Sequence, residues 1–268
     1  MTRASFIGLG EQGKPLAINL VRAGFDLMVH DIRSEPVREL AALGAKVAAT
    51  PREAGAHGGI IAIAVVNDAQ VEDVVFGAEG VLAGAKPGSI IVIHSTIRPA
   101  TVHKIAEAAA ASEVGVVDVP VSVGPRGAAT QTMCYMAGGS QALVDRCRPL
   151  FETSGKNIFH LGPLGAGMTA KLAHQVIICL NVLAAAEGMR LAEAAGLDLK
   201  VMQEVVRAGG ASSRMADNWV NYKPGPDVAA LWYKDLALAL ESAHELGLGL
   251  PGAALTQQVI EHLLSKDK

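Results

Sequence analysis

The chain has 268 residues, half of them hydrophobic, a formal net charge of -3 and a sequence pI near 6.2. This length allows one large domain or two ordinary ones with ample core. Because the charge balance shows no basic excess, it offers no attraction to a nucleic-acid backbone, and we exclude nucleic acid as a partner.

The first predicted strand, Ala4 to Gly8, ends in Gly-Leu-Gly-Glu-Gln-Gly and leads into a predicted helix, Lys14 to Ala23. The glycine spacing alone is also compatible with a plain tight turn. A second predicted strand closes at Asp31, about 20 residues past the glycines, where a carboxylate would bind ribose hydroxyls. Together these features predict a Rossmann unit whose backbone N–H groups face a pyrophosphate. The predicted cofactor contacts here are Gly8, Gly10, Glu11, Gln12, Gly13, Asp31, Ile32 and Arg33.

The residue at position 31 also bears on which dinucleotide binds. A carboxylate there accepts hydrogen bonds from a free 2′-hydroxyl and repels a 2′-phosphate, so Asp31 favours NAD over NADP, with NADP still possible. Arg33 could stack on the adenine, pair with a phosphate or be a solvated loop cation.

From residue 1 to about 163, β-branched runs alternate with helical segments, as a parallel sheet covered on both faces requires. A clear helix is predicted over Arg98 to Ala111, because Pro99 suits a first turn and the body is rich in alanine. The other predicted strands are Asp26 to Asp31, Lys46 to Ala48, Ile60 to Val66, Ser89 to His94, Gly115 to Val119, Thr132 to Ala137 and Asn157 to Leu161.

Residues 164–268 form a second predicted domain that is all-helical. Its first helix, from about Gly167 to Ala195, is long and apolar on most faces; Gly196 ends it and Asp198 can cap the next. A helix this apolar needs burial by the rest of a bundle or by a second subunit. We therefore predict an oligomer, a homodimer or a homotetramer.

Three further features concern compartment and metals. The first strand begins so close to Met1 that no secretory signal is expected, and the apolar stretch Val176 to Ala186 is too short and too polar to span a bilayer. Cys134, Cys147 and Cys179 are odd in number and widely spaced, which favours reduced core residues in the cytoplasm. No histidine or cysteine spacing suits a metal, so we expect none.

Five motifs occur along the chain in one order. They are Gly8-Leu9-Gly10-Glu11-Gln12-Gly13 followed by Ala17-Ile18-Asn19-Leu20; His94-Ser95-Thr96 before Pro99; Asp118-Val119-Pro120-Val121-Ser122-Val123-Gly124; Gly165-Ala166-Gly167 before Lys171; and Lys234-Asp235-Leu236. In these motifs the chain resembles, from end to end, the β-hydroxyacid dehydrogenase family, whose best-known member type is 3-hydroxyisobutyrate dehydrogenase. The resemblance implies a Rossmann-type N-terminal domain joined by a long helix to an all-α C-terminal domain.

By this resemblance Lys171 is the general acid/base. Oxidation of an alcohol removes a hydroxyl proton as hydride leaves the carbon, and an amine with a lowered pKa can take that proton. An isolated lysine on a bundle helix is more often a snorkelling cation. Gly165 and Gly167, just upstream, permit close approach at the expected domain junction and favour the catalytic role.

The substrate carboxylate would be held by Ser122 and by the backbone of Val123 and Gly124, where the family has Ser-Gly-Gly. Val123 replaces a glycine, so either its φ is negative or the loop differs, and its branched side chain would crowd the pocket mouth. Gln131 replaces another family glycine. Ser122 could also be an ordinary loop hydroxyl.

Other implied contacts extend beyond this loop. Gln175, where the family has Asn, shares a helix face with Lys171, and its extra methylene would alter how the substrate is held. His174 is a core or surface histidine or a second titratable group in the pocket. Lys234 would reach substrate and cofactor, or else form a surface pair with Asp235. Three more residues are implied to line the cofactor: Val65 and Val66 beside the ribose, and Thr96 on the nicotinamide side.

The resemblance therefore implies a cytoplasmic NAD(P)-dependent oxidoreductase that moves hydride between nicotinamide and a small 3-hydroxy acid or its semialdehyde. Two alternatives stay open. An imine reductase shares the two-domain plan, but such relatives generally replace the lysine and prefer NADPH. A non-catalytic NAD-bound scaffold is the other, against which Lys171, Ser122 and Lys234 argue.

Overall fold

The computed structural model describes residues 2–222 and 227–264. The chain forms two compact units, Met1–Lys171 and Leu172–Lys268. The division falls inside a long helix, a few residues after the boundary predicted between residues 163 and 164.

The first unit is built on one sheet. The described residues contribute these strands to it: β1 Arg3–Ile7, β2 Asp26–His30, β3 Lys46–Val47, β4 Ile60–Ile63, β5 Ile90–Ile93, β6 Gly115–Asp118, β7 Val121–Ser122, β8 Cys134–Gly138 and β9 Asn157–Gly162. The helices between them are α1 Gly13–Arg22, α2 Ser34–Ala42, α3 Pro51–His57, α4 Asp68–Phe76, α5 Pro99–Ala110, α6 Gly124–Ala129 and α7 Gln141–Glu152.

The strand order is β3-β2-β1-β4-β5-β6-β8-β7, with β9 beside β8. The first six strands are mutually parallel, so the carboxyl ends of β1, β4 and β5 meet at one edge, where a doubly wound sheet binds its ligand. The eight strands predicted from the sequence are present, most of them shorter by one to three residues.

The predicted parallel sheet is confirmed for the first six strands, and an antiparallel part lies at one side. β8 runs antiparallel to both β6 and β7, and β7 itself was not predicted. β7 has only two residues, too few to show a periodicity, and strand direction leaves no mark in a fully buried apolar run.

The two faces of the sheet supply two separate cores. Along β5, Ile90 and Val92 pack in one hydrophobic cluster and Ile91 and Ile93 in the other, and all four are fully buried. Because successive side chains of a strand point to opposite faces, a strand covered by helices on both sides needs an unbroken apolar run. This is why β4 and β5 are nearly pure isoleucine and valine.

In its described residues the second unit consists of helices and the connections between them, as predicted. It contains most of α8 Ala166–Ala194, then α9 Leu199–Ala208, a 3-10 turn Ala216–Asn221, α10 Val228–Glu245 and α11 Pro251–Leu264. Gly196, with φ +78°, follows α8, and the Asp198 carboxylate caps α9 by accepting the N–H of Lys200 at 2.7 Å.

Helix α8 is longer than the apolar stretch 176–186 considered from the sequence. With 29 residues it is long and apolar enough to cross a membrane by length and composition, although core helices of soluble proteins meet the same criterion. Its Cys179 and Val182 are buried in the unit's core with Leu236 of α10, while Ile177 is more than half exposed.

Candidate active site

The glycine loop has the shape of a dinucleotide cradle. Gly8 has φ +91°, and a Cβ atom there would collide with the Ala64 carbonyl oxygen at the end of β4. Gly13 begins α1, and a Cβ there would collide with the Gly8 carbonyl oxygen. Beside Gly10, by contrast, a Cβ would meet only the Arg33 guanidinium, at 3.9 Å. Two glycines therefore close the turn, and the third leaves room for a ligand.

Asp31 anchors this loop. Its carboxylate accepts the N–H of Leu9 at 2.6 Å and the N–H of Arg33 at 2.8 Å, and the Arg33 side chain pairs with it at 3.1 Å. Burial by itself would raise the pKa of Asp31, but the hydrogen bonds from Arg33 and Leu9 outweigh it and lower the pKa below the ordinary value. The carboxylate is therefore ionised at neutral pH, as acceptance of ribose hydroxyls requires.

The remaining predicted loop residues differ in exposure. Glu11 is exposed, and the Ile32 side chain is almost fully exposed. The Gln12 amide nitrogen is buried, and no described residue accepts a hydrogen bond from it. A buried donor in the cradle fits a ligand with acceptor oxygens, such as a pyrophosphate.

The ends of β4 and β5 are tied together at the same edge of the sheet. Val65 donates its backbone N–H to the Ser95 hydroxyl at 2.9 Å, Val66 is half exposed, and Thr96 is half-buried. The structure therefore brings Val65, Val66 and Thr96 to the edge that carries the glycine loop.

Lys171 lies near the start of α8 and is buried. Its Nζ donates to the Val121 carbonyl oxygen at 2.9 Å, one residue before Ser122. The predicted close approach at the upstream glycines is confirmed: a Cβ at Gly167 would collide with the Met136 carbonyl oxygen, and one at Gly165 would lie 3.1 Å from His103 Nε2. Lys171 is thus packed against the segment predicted to bind the substrate and is not a snorkelling cation.

The negative φ considered for Val123 is wrong. The loop keeps the glycine-like conformation, because Val123 has φ +88° despite its branched side chain. A Cβ at Gly127 would lie 2.8 Å from the Val123 Cβ, so the valine packs on the next turn of α6. Gln131 also keeps a positive φ, +55°, and is exposed.

Cys134 is a neighbour of this site that the sequence did not single out for it. It lies directly opposite Ser122 across the β7–β8 ladder. Burial raises the pKa of the Cys134 thiol, and the charge of Lys171 acts in the opposite direction. Only the pairing register, which is a long-range feature, could have placed this thiol here.

In the second unit, the buried Gln175 and Asp235 and the half-buried Lys234 form a polar cluster. The Gln175 amide donates to Asp235 Oδ2 at 2.7 Å, and Lys234 Nζ lies 3.0 Å from Asp235 Oδ1. Asp235 is almost fully buried, so its pairing with Lys234 is not the surface contact weighed from the sequence. His174 is half-buried. The extra methylene of Gln175 lets its amide reach across to α10.

Comparison with known proteins gives the family. Residues 3–162 match the model described as the NAD binding domain of 6-phosphogluconate dehydrogenase. Residues 165–268 match a second model, described as NAD-binding of NADP-dependent 3-hydroxyisobutyrate dehydrogenase.

Individual relatives extend this match over the whole chain. The 2-hydroxy-3-oxopropionate reductase of Escherichia coli is 40% identical over 96% of this chain and 89% of its own length. The NAD-dependent L-serine dehydrogenase of Pseudomonas aeruginosa is 36% identical, with 99% and 93% coverage. A structure of Mycobacterium tuberculosis 3-hydroxyisobutyrate dehydrogenase with L-serine superposes with a TM-score of 0.88 at 28% identity, covering 99% of this chain and 94% of that one.

The fold and the cradle define a dinucleotide-binding oxidoreductase. The chain belongs to the 3-hydroxyisobutyrate dehydrogenase-like β-hydroxyacid dehydrogenases, and it is an NAD(P)-dependent enzyme. An imine reductase from Streptomyces aurantiacus is 18% identical over 97% of this chain and 94% of its own, with a TM-score of 0.69, and shares the fold alone.

Proposed function

We propose that this chain catalyses reversible hydride transfer between NAD and a small 3-hydroxy acid or its semialdehyde, with Lys171 as the general acid/base. The observation that carries the proposal is the buried Lys171, whose Nζ is hydrogen-bonded at 2.9 Å to the residue before Ser122. The proposed proton-transfer group, on α8, is thus hydrogen-bonded to the strand that carries the proposed anion-binding hydroxyl.

The chemistry assigned to Lys171 is a single proton transfer. When bound, the cofactor supplies the hydride acceptor or donor in its nicotinamide ring. In the oxidative direction the neutral Lys171 amine takes the hydroxyl proton as the carbon–oxygen double bond forms. In the reductive direction the ammonium returns a proton to the forming alkoxide, so that charge does not build up on oxygen.

The substrate carboxylate is assigned to Ser122 and to the backbone N–H groups of Val123 and Gly124. A hydroxyl and two N–H groups on a tight turn suit an anion. The positive φ of Val123 supports this role, because it is a conformation that glycine, the family residue at this position, adopts readily. Gln175 and Lys234 are assigned further substrate contacts, and Lys234 a cofactor contact, on the family resemblance.

The names of the relatives narrow the substrate class. L-serine, 2-hydroxy-3-oxopropionate and 3-hydroxyisobutyrate each carry a carboxylate and an oxygen on the third carbon. The third carbon is an aldehyde in 2-hydroxy-3-oxopropionate and an alcohol in the other two, and the compounds also differ in the group on the second carbon. We assign the chain a 3-hydroxypropionate bearing a small substituent at that carbon, and NAD in preference to NADP because Asp31 is ionised at the ribose position.

The experiment that tests the role of Lys171 is its replacement by Ala and by Met. Steady-state rates would be measured with NAD and NADP on a panel of 2-substituted 3-hydroxy acids and a cyclic imine. We expect kcat to fall by roughly two to four decades with cofactor binding retained. Lys104→Ala, which removes an exposed lysine paired with Glu72, is the matched control, and its kcat should equal that of the unaltered chain.

Three outcomes would overturn the proposal. Near-normal kcat in Lys171→Ala removes the general acid/base. Tight cofactor binding by the unaltered chain without turnover of any hydroxy acid favours a non-catalytic NAD-bound scaffold. Turnover of the imine alone favours an imine reductase.

We also propose a homodimer or homotetramer in the cytoplasm. Large apolar side chains more than half exposed on the second unit, Ile177 and Leu191 of α8 and Val201 and Val205 of α9, support association. The three cysteines form no disulfide within the described part of the chain, which fits a reducing compartment. Light scattering at micromolar concentration tests the assembly, and a monomeric mass would refute it; cell fractionation tests the location.

A further inference from the structure

Asp118, the last residue of β6, is a fully buried carboxylate that the proposed chemistry does not use. Its two oxygens accept hydrogen bonds from the start of α8. Oδ1 accepts the N–H of Gly165 at 2.8 Å, and Oδ2 accepts the N–H of Met168 at 2.7 Å. The first N–H groups of a helix have no partner within the helix, so one carboxylate from the sheet satisfies two of these donors around the first turn.

Two glycines let the helix come close enough for this contact. A Cβ at Gly138 of β8 would collide with Asp118 Oδ1 and lie 2.7 Å from the N–H nitrogen of Gly167. A Cβ at Gly167 would lie 2.6 Å from the Asp118 carbonyl oxygen and 2.9 Å from Oδ2. Neither side of the contact has room for a side chain, so the separation between strand and helix is fixed.

The segment that begins at Asp118 contacts the same helix a second time. Val121, three residues on, accepts the hydrogen bond of Lys171, and Ser122 follows. Lys171 in turn lies three residues beyond Met168, which is one turn further along α8. Asp118 and Val121 therefore hold α8 at two successive turns.

We propose that Asp118 is the positioning residue of this site: by capping the start of α8 it sets Lys171 in register with Ser122. The inference rests on the proposed role of Lys171. It assigns no contact with substrate or cofactor to Asp118, which acts through the helix alone.

The chemistry of the contact explains why a carboxylate is required. Burial raises the pKa of Asp118, while the N–H groups of Gly165 and Met168 and the charge of His103 on α5 oppose this rise. A carboxylate offers acceptors on both oxygens. In Asp118→Asn one oxygen becomes an NH₂ group that faces a backbone N–H, so one donor loses its partner and the helix start must move.

The test is a double-mutant cycle between Asp118→Asn and Lys171→Ala. For Asp118→Asn alone we expect kcat to fall by about 10- to 100-fold, with the Kd for NADH, measured by fluorescence, changed less than about 3-fold. In the Lys171→Ala background the same substitution should lower the residual kcat by less than about 2-fold, because the group being positioned is gone. Ser140→Ala, which removes the cap of α7, is the control for a lost cap elsewhere and should leave kcat unchanged.

The outcomes separate this inference from the proposed function. If Asp118→Asn lowers kcat equally in both backgrounds, Asp118 is a structural residue and the inference is wrong. If Lys171→Ala retains activity, the proposed function itself fails. Should Asp118→Asn not fold, Asp118→Glu keeps the charge and both acceptors while displacing the helix by one methylene, and the same cycle applies.

Discussion

Val123 and Gly127 are a matched pair at the start of α6. Val123 adopts φ +88°, a conformation that a β-branched residue rarely takes, and a Cβ at Gly127 would lie only 2.8 Å from the Val123 Cβ. The strain at such a residue, of order 1–3 kcal/mol, persists only where the surroundings hold it. The absence of a side chain at Gly127 is therefore part of what allows valine in the loop.

This pairing predicts that the effect of Gly127→Ala changes sign with the residue at position 123. Alanine in place of a helical glycine normally stabilises by about 0.5–1 kcal/mol. With Val123 present, Gly127→Ala should instead destabilise by about 1–3 kcal/mol through overpacking, and in a Val123→Gly background it should stabilise. Urea unfolding of the four chains measures this, and additive effects would refute the pairing.

Val123→Gly should also change substrate use. The substitution removes the isopropyl group from the loop. Glycine readily adopts the positive φ, so the proposed carboxylate-binding turn is kept. We expect KM to change by more than about 3-fold for substrates with a bulky substituent on the second carbon, and to change little for 3-hydroxypropionate, which has no substituent there. Equal changes across the panel would show that Val123 has no part in selectivity.

The burial of His94 predicts that the free energy of unfolding decreases in acid. It is fully buried with its ring stacked on Phe6, and its Nδ1 donates to the Val119 carbonyl oxygen at 2.6 Å. Burial lowers the pKa of His94 to about 4 from 6.5. Between these values the unfolded chain binds a proton that the folded chain does not, so the free energy of unfolding falls as the pH drops from 6.5 to 4, by about 3 kcal/mol.

The measurement is urea unfolding across that pH window for the unaltered chain and for His94→Asn. Asparagine can still donate to Val119, but it does not titrate. The variant should be less stable at pH 7 and show a flatter pH dependence. Parallel curves for the two chains would mean that His94 does not carry the effect.

Asp31 and Arg33 predict a shift of cofactor preference. Asp31→Ala removes the carboxylate that repels a 2′-phosphate. It also releases the Arg33 guanidinium, which pairs with Asp31 in the unaltered chain, to bind that phosphate. We expect the ratio of kcat/KM for NADP over NAD to rise at least about 10-fold, with a loss for NAD because Leu9 also loses its acceptor. Arg33→Ala is the matched control and should not favour NADP. An unchanged ratio would contradict the assignment.

Gln175 predicts a stability effect in the second unit. Gln175→Asn, although it restores the family residue, would withdraw the amide from the buried Asp235 carboxylate and should cost about 1–3 kcal/mol. Gln257→Asn, at a half-buried glutamine whose amide lies 3.5 Å from the Tyr233 carbonyl oxygen, should stay within about 0.5 kcal/mol. Equal melting temperatures for the two variants would show that the Gln175 contact contributes nothing.

The sequence by itself determined the features that depend on local order. The glycine loop, Asp31 after the second strand and the helical second unit follow from spacing and periodicity, because they concern residues close together in the chain. The role of Lys171 was implied by the family resemblance. The family followed from five such motifs in order.

Only the tertiary structure decided the rest. Asp118 meets Met168 across 50 residues, and Gln175 meets Asp235 across 60. The reversal of β8 and the positive φ of Val123 likewise depend on what packs nearby. A backbone conformation held against its own preference, or a carboxylate bound by a distant helix, is set by surrounding contacts, and no local pattern records them.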